Sequence, residues 1–449
     1  MSLFCYQCEM ASTDGCGSNG VQKMGVCGKD ETLNMLQDLL VYGVKGLSAY
    51  RYAGAQLGMN TSNADDVIAE SMYFTLTNVN FDFNSHISQL MKLGKAGVEL
   101  MGTLSNTHTS AFGVPTPVRV TQNRAEGKAI LVSGHDLQAL KLLLDATEGK
   151  GINVYTHSEM LPAHGYPELK KYSHLKGNVG KAWFDQSKLF EKWQGAILVT
   201  TNCIVPVKEK ATYGDRLFGY NVTGVSGIEL ISDNNFTPLI DKALASPDVE
   251  GFEEETTLTT GHHYKTILTL APAILDALKK KAIRRFFVIA GCDAPGKGRD
   301  YFRELALSLP EDCVIVTSSC GKFRFNDVDF GTVPGTEIPR YLDLGQCNDS
   351  NGAVEIALAL SKATGIGVNE LPISITLMWM EQKAVLILLS LLSLGIKDIY
   401  LGPSAPQFLN EDIMSFLSEN FNLSLISKVK DDLPKMLGVE EMEEELVTA

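Results

Sequence analysis

The sequence predicts an α/β protein in which a cysteine-rich helical bundle precedes two domains built on mainly parallel sheets. Three observations carry that prediction. Apolar residues recur at a period near 3.6 from Asp30 to about Gly102. From Ala129 onward, short apolar runs bounded by Gly, Ser and Asn alternate with helical stretches, the pattern of buried parallel strands. Most of those runs lead into a residue that can bind a metal. The expected organisation is an N-terminal cysteine-rich and helical-bundle domain at 1–126, which the cysteine cluster below marks as the iron–sulfur candidate, a first Rossmann-like α/β domain at 127–264 and a second at 265–449.

Length and charge narrow the function. A chain of 449 residues is long enough for two or three domains with proper cores. Its 45% apolar and 20% charged residues are those of an ordinary globular protein. A net charge of −14 argues against nucleic acid or an anionic membrane face, since both need clustered Lys and Arg. It suits an enzyme of small molecules that docks a basic redox partner. Met1-Ser2-Leu3-Phe4-Cys5 has neither a basic nor an apolar leader region, so no signal peptide is expected. The longest apolar run, residues 384–394, is about half a membrane span and reads as a buried helix. Nine cysteines without an export signal imply a reducing, cytoplasmic setting, where thiols bind metal or catalyse.

The first 28 residues hold the densest cysteine cluster, Cys5, Cys8, Cys16 and Cys27, spaced C-x2-C-x7-C-x10-C. Glycines 15, 17, 20, 25 and 28 let the backbone wrap tightly there, as a loop around an iron–sulfur cluster requires. A single structural zinc uses the same four thiolates and stays open, with iron–sulfur favoured by the spacing. Asp30 is the expected N-cap of a helix carrying Leu33, Leu36, Leu40, Val44 and Leu47 on one face. Further helical segments near 64–77 and 85–101 complete a small bundle.

Pro115-Thr116-Pro117 ends the helical pattern. Ala129-Ile130-Leu131-Val132 leads to His135, Ile152-Asn153-Val154-Tyr155 to Glu159, and Gly195-Ala196-Ile197-Leu198-Val199-Thr200 to Cys203. Residues 236–270, with an acidic patch at 250–255, read as a connection. Four more runs follow: 285–290 leads to Cys292, 314–317 to Cys320, 340–344 to Cys347 and 373–377 to Glu381. Ligands of open parallel sheets gather at the carboxyl ends of the strands. One imidazole, two carboxylates and four thiolates should therefore share such edges. Seven ligands exceed what one zinc uses, and soft sulfur mixed with harder nitrogen and oxygen points to a multinuclear iron–sulfur–oxygen cluster. The N-terminal cysteines would then form a separate electron-entry cluster.

Other features receive plainer readings. Gly291-Cys292-Asp293-Ala294-Pro295-Gly296-Lys297-Gly298 nearly matches a phosphate-binding loop but has Gly298 where Ser or Thr would hold magnesium, so nucleotide binding is set aside. His262-His263 reads as a surface pair. His157 and His164 flank Glu159 as support or proton-relay groups. Cys313 begins a strand, the wrong end for the site, and reads as a buried structural thiol. Lys383 follows Glu381 by two residues and is a candidate proton donor, weighed against a surface lysine at a helix start. The tail 440–449 is acidic and reads as solvated.

Several stretches resemble a known family. They are Phe4-Cys5-Tyr6-Gln7-Cys8-Glu9, Leu36-Gln37-Asp38-Leu39-Leu40, Val132-Ser133-Gly134-His135-Asp136-Leu137, Glu159-Met160-Leu161-Pro162-Ala163-His164-Gly165-Tyr166-Pro167 and Asn202-Cys203-Ile204-Val205-Pro206. They continue with Gly291-Cys292-Asp293, Cys320-Gly321-Lys322-Phe323-Arg324-Phe325-Asn326, Gly345-Gln346-Cys347-Asn348-Asp349 and Glu381-Gln382-Lys383-Ala384-Val385. In this order they resemble the hybrid-cluster proteins, also called prismane proteins or hydroxylamine reductases. One helical bundle before Ala129, rather than two, resembles the short form.

The resemblance implies that His135, Glu159, Cys203, Cys292, Cys320, Cys347 and Glu381 bind a hybrid 4Fe-2O-2S cluster at a domain interface, with a persulfide at Cys292. It implies a 4Fe-4S cluster on Cys5, Cys8, Cys16 and Cys27, with 2Fe-2S the alternative because the x7 and x10 spacing is wider than the 4Fe-4S pattern. The implied activity is reduction of hydroxylamine to ammonia and water, with Glu381, Lys383, His135 and Glu159 as catalytic candidates. Reduction of nitric oxide to nitrous oxide is the runner-up, and nitric oxide sensing or protein S-nitrosylation through Cys292 is a reading of another class. A nickel-dependent carbon monoxide dehydrogenase would share the architecture with a different ligand set. The implied partner is a redox donor, a ferredoxin or an NADH-dependent reductase, in an anaerobic cell under nitrosative stress.

Overall fold

Asp30 opens the first long helix as the periodicity predicts: its side chain accepts from the Leu33 amide at 2.8 Å, and helix Glu31–Gln56 follows. This computed structural model describes residues 5–12, 15–16 and 24–439; the leader reading at Met1–Phe4 and the acidic tail at 440–449 lie outside them. The chain divides into one unit of Met1–Leu104 with Ser374–Asp432 and another of Ser105–Ile373 with Leu433–Ala449.

In the first unit, Glu31–Gln56, Ser62–Phe74 and the first part of Phe83–Phe112 form the helical bundle. The apolar run near the C-terminus becomes helix Gln382–Ser393, with Lys383 to Ser390 and Leu392 all buried. Its fit depends on two glycines. A Cβ at Gly46 would lie 2.6 Å from the Gln382 carbonyl oxygen, and one at Gly94 only 2.2 Å from that of Leu389. Backbone therefore meets backbone, and Ser390 Oγ closes the contact by donating to the Gly94 carbonyl at 3.0 Å. Parallel strands Ile399–Leu401 and Ser424–Leu425 continue the α/β alternation beside Ile373–Leu377. Lys383 is no surface lysine. It is 6% exposed, with its Nζ 5.5 Å from the centre of the Tyr50 ring.

The second unit contains an all-parallel six-stranded sheet in the spatial order Leu175–Asn178, Asn153–His157, Ala129–Ser133, Ala196–Val199, Leu217–Tyr220, Glu229–Ile231. Counted along the chain that order is 3-2-1-4-5-6, the doubly wound arrangement whose crevice opens beside the first strand. Ala129–Ser133 is buried along its whole length, which is why it reads as a continuous apolar run rather than an alternating one. Leu175–Asn178, Leu217–Tyr220 and Glu229–Ile231 carry weaker apolar signals. A second parallel set follows in the order Tyr341–Asp343, Cys313–Thr317, Arg285–Ala290. The fold class read from the sequence holds.

Two readings change. The stretch 236–270 is more than a connection: it contains helix Thr237–Ala245, strand Thr257–Thr260 and helix Tyr264–Thr269, the strand pairing antiparallel with Val118–Thr121. His262 and His263 are buried, at 5% and 1% exposure, rather than a surface pair. The His262 amide donates to the Asp343 carbonyl at 2.9 Å. His263 Nδ1 caps the next helix by accepting from the Lys265 amide, so its Nε2–H donates to Ser105 Oγ at 2.9 Å. Adjacent side chains point apart, but here both directions lead into protein.

His108, 4% exposed, has a buried Nδ1 with no hydrogen-bond partner, and burial pushes its pKa down to about 4. As pH falls from 6.5 the unfolded chain takes up this proton before the folded one does. The contribution is complete above pH 6.5 and is lost as the pH falls towards 4, by up to about 3 kcal/mol. His108→Leu should flatten that part of the acid destabilisation. Urea unfolding of both proteins at pH 7 and pH 4.5 measures it, and parallel losses in the two would refute the assignment.

Candidate metal centre

The strand-end positions share a backbone device. Gly134 (φ 110°), Ser158 (56°), Gly291 (112°) and Ser319 (65°) each stand immediately before His135, Glu159, Cys292 and Cys320. Cys203 itself adopts φ 78°, and Gly345 (129°) stands two before Cys347. A left-handed residue reverses the chain where a strand ends, so the next side chain turns back across the sheet edge. Glycine does this freely, but at Gly134 a side chain would also collide, its Cβ 2.4 Å from Thr200 Oγ1. Ser158, Cys203 and Ser319 adopt this region with a side chain. Ser319, at φ 65° and ψ −170°, occupies a region used essentially by glycine alone. Such strain concentrates at functional sites.

These turns bring one nitrogen, one oxygen and one sulfur donor together. Ligand atoms of His135, Glu159 and Cys347 all lie within 4.8 Å of one another, with Glu159 and Cys347 buried and His135 half-buried. Gln346 Nε2 donates to the carbonyls of His135 (3.0 Å) and Glu159 (2.8 Å), and the Cys347 amide donates to Glu159 Oε2 (3.0 Å). His135 Nδ1 lies 2.8 Å from Thr201 Oγ1; with Nδ1–H donating there, the Nε2 lone pair is the one directed to a metal.

Of the other candidate ligands in this unit, Cys203, Cys292 and Cys320 fall outside that close group, and Cys320 faces Glu159 and Cys203. Cys320 is 2% exposed, with Ser158 Oγ 3.5 Å from its Sγ. Burial first, then the facing Glu159 and Cys203, push its thiol well above the usual range, so a metal must displace its proton. Gln186 Nε2 donates to the Cys203 carbonyl, and its Oε1 accepts from the Val205 amide at 3.0 Å. The Cys292 turn is joined to the Cys320 turn by Gly321 N–H donating to the Gly291 carbonyl at 2.9 Å. Asp293, the next residue, is gripped by Arg324 at 2.6 and 3.1 Å, and its carbonyl accepts from Trp183 Nε1. Asp293 of the near-match to a phosphate loop is thus committed to an ion pair within the protein. His157 and His164 are buried neutral imidazoles, with pKa values pushed down to about 3 and about 4 by burial, bound to Ser133 Oγ and Thr156 Oγ1. Cys313 is fully buried, its thiol pushed up to about 12 chiefly by burial, as a structural cysteine should be.

In the other unit, Glu381 caps helix Gln382–Ser393, its Oε1 accepting from the Ala384 amide at 2.9 Å. Cys5 and Cys16 are buried against each other, Cys27 is half-buried and Cys8 exposed. No three of these four thiols converge as closely as the His135 trio among the described residues. Beside them is a group the sequence did not single out. Lys29, 2% exposed, donates to Gln37 Oε1 at 2.9 Å and Asn34 Oδ1 at 3.4 Å, with Cys5 Sγ 3.8 Å away. Lysine so rarely lies this deep that sequence reading passes over it.

Nitrogen, oxygen and sulfur donors from three strand-end turns thus meet in a group that can hold a metal ion, iron or zinc among them. A model of the Prismane/CO dehydrogenase family matches residues 3–86 and 55–434. The chain belongs to that family. The hydroxylamine reductase of Moorella thermoacetica is 47% identical over 436 residues, spanning 97% of this chain and the whole of that one. That of Thermotoga maritima is 44% identical over 439 residues, spanning 98% of this chain and again the whole relative. Among solved structures, a nickel-free carbon monoxide dehydrogenase from Thermococcus sp. AM4 aligns with a TM-score of 0.79 at 16% identity, covering 99% of this chain and 91% of that one. Carbon monoxide dehydrogenase IV from Carboxydothermus hydrogenoformans aligns with a TM-score of 0.77 at 15% identity, covering 100% and 94%. At such identities these structures share the fold. As a Prismane/CO dehydrogenase family member with relatives named hydroxylamine reductases, the protein is an oxidoreductase. No helix among the described residues is long and apolar enough to cross a membrane.

Ser319→Gly should relieve the backbone strain beside Cys320 and raise the stability of the metal-free protein by about 1 kcal/mol. Denaturant unfolding and iron content together check it: greater stability with unchanged iron is expected. A loss of stability would show that Ser319 is held without strain.

Proposed function

We propose that the protein reduces hydroxylamine, NH2OH + 2 e− + 2 H+ → NH3 + H2O, at a mixed iron–sulfur–oxygen centre. The observation that carries this is the convergence of imidazole, carboxylate and thiol donors of His135, Glu159 and Cys347 at a strand-end edge. Cys203, Cys292, Cys320 and Glu381 complete the proposed ligand set of a hybrid 4Fe-2O-2S cluster, with Cys292 as the persulfide position. Cys5, Cys8, Cys16 and Cys27 would hold a 4Fe-4S cluster that receives electrons from a ferredoxin or an NADH-dependent reductase. Names carried by relatives at 44–47% identity support the substrate.

When bound, the hybrid cluster would supply the electrons and the Lewis acidity that polarises the N–O bond. The protein's own groups would manage position and protons. Thr201 Oγ1 holds the His135 ring by Nδ1, and the Cys347 amide holds Glu159 by Oε2. Both side chains are thereby oriented at the edge where a substrate would lie, as candidate proton donors for the departing oxygen and the nitrogen. Lys383, buried on the helix that Glu381 caps, is a third candidate.

Anaerobic purification followed by measurement of iron, nickel, zinc and acid-labile sulfide tests the centre. About eight irons per chain, less sulfide than iron, and paramagnetic signals from two distinct clusters are expected. Stoichiometric nickel would favour the carbon monoxide dehydrogenase reading, and zinc without iron would refute both. Steady-state assays should show ammonia formed from hydroxylamine, with Glu381→Gln abolishing turnover and altering the hybrid-cluster signal alone. Nitrous oxide from nitric oxide, with no ammonia from hydroxylamine, would replace the proposed substrate.

A further inference from the structure

Lys322 is fully buried, two residues after Cys320. Its Nζ lies 3.0 Å from Asp343 Oδ1 and donates to the Gly345 carbonyl. Asp343 ends its strand, 0% exposed like its partner, and accepts from Thr260 Oγ1 at 2.6 Å and the Gly345 amide at 3.0 Å. Glu159 and Cys320 also act electrostatically on this ammonium. One cation thus faces two carboxylates and a ligand thiol in a region closed to water.

Burying an ammonium is expensive, and a pair such as Lys322 and Asp343 is often replaceable by apolar residues without loss of stability. Its position suggests what it does instead. The ammonium spans from the turn bearing Cys320 to the turn bearing Cys347, beside the edge where the donors converge. In a low dielectric a fixed charge acts strongly on any neighbouring group that gains or loses an electron.

We propose that Lys322 is the fixed counter-cation of the metal centre, holding the Cys320 and Cys347 turns together and raising the centre's reduction potential, with Asp343 setting how much of that charge the centre feels. This rests on the iron–sulfur reading above and adds a positioning residue to it. Adding an electron makes the centre more negative, so a nearby cation favours the reduced form and a nearby carboxylate opposes it. Removing the two charges separately should therefore shift the potential in opposite directions.

The test uses the full-length, iron-loaded protein and two variants, Lys322→Met and Asp343→Asn, in redox titrations followed by paramagnetic resonance. In Lys322→Met the ratio of reduced to oxidised hybrid centre at a fixed potential should fall about tenfold, 59 mV for a one-electron couple. In Asp343→Asn, which keeps the ammonium and nearly the same shape, the ratio should rise. The N-terminal cluster signal should stay put in both. Unmoved potentials, or shifts of the same sign, overturn the proposal, since a purely structural role would not produce opposite signs. Should Lys322→Met fail to fold or to retain iron, Asp343→Asn decides alone: a raised potential upholds the proposal and an unmoved or lowered one overturns it. Wild-type protein without iron would instead overturn the functional reading, and this inference with it.

Discussion

Left-handed residues at the strand ends turn side chains back across the sheet edge, and this device shapes most of the candidate metal centre. Gly134, Ser158, Gly291 and Ser319 take left-handed conformations one step before four of the candidate ligands, and Cys203 takes one itself. The strands supply largely buried bases, while the strained residues supply aim. Where the residue is serine or cysteine the strain persists only because surrounding contacts over-determine it. Gln346 bridging the His135 and Glu159 carbonyls is one such contact, and the Gly321 to Gly291 hydrogen bond is another.

Charge is the second constraint. The edge gathers Glu159, Asp343, Asp349 and several thiols where water cannot solvate them. Burial raises the Asp349 carboxyl to about 7 despite the Gln346 amide and the nearby Lys322, which lower it. Neutral imidazoles at His157 and His164 add polarity without charge. Lys322 supplies a positive charge in this region at a depth where lysine is rare. The neighbouring Asp293 is balanced differently, by Arg324 with its guanidinium 5.6 Å from the Phe184 ring. The site's polarity is therefore local and specific, unrelated to the surplus of acidic residues over the chain.

Much of this was legible because buried parallel strands leave a strong trace. Ala129–Ser133, Ala196–Val199 and Cys313–Thr317 are apolar enough to be read directly, and a metal-capable residue just beyond them is conspicuous. Leu217–Tyr220 and Glu229–Ile231 are short, and one carries Gly219 and the other Glu229, so their sheet partners decide them rather than their own propensity. His262 and His263 misled because a polar pair reads as surface, whereas the Asp343 carbonyl and Ser105 hydroxyl satisfy groups inside the protein. Lys322 and Lys29 were passed over for the same reason. Left-handed serines have no sequence signature at all; only the fold reveals them.

The distance along the chain between ligands has a consequence for biogenesis. His135 and Cys347 are more than two hundred residues apart, on turns that acquire their shape from separate sets of strands. Closing so long a loop is slow and entropically opposed, so metal cannot nucleate this part of the protein as zinc nucleates a finger. On the proposed ligand set, a metal would enter after the polypeptide has folded, into a scaffold already strained at Ser158, Cys203 and Ser319. The proposed ligands Cys5, Cys8, Cys16 and Cys27, by contrast, all lie within 23 residues of sequence. Two centres in one chain would then mature on different schedules, the small one during synthesis and the large one only on a finished fold.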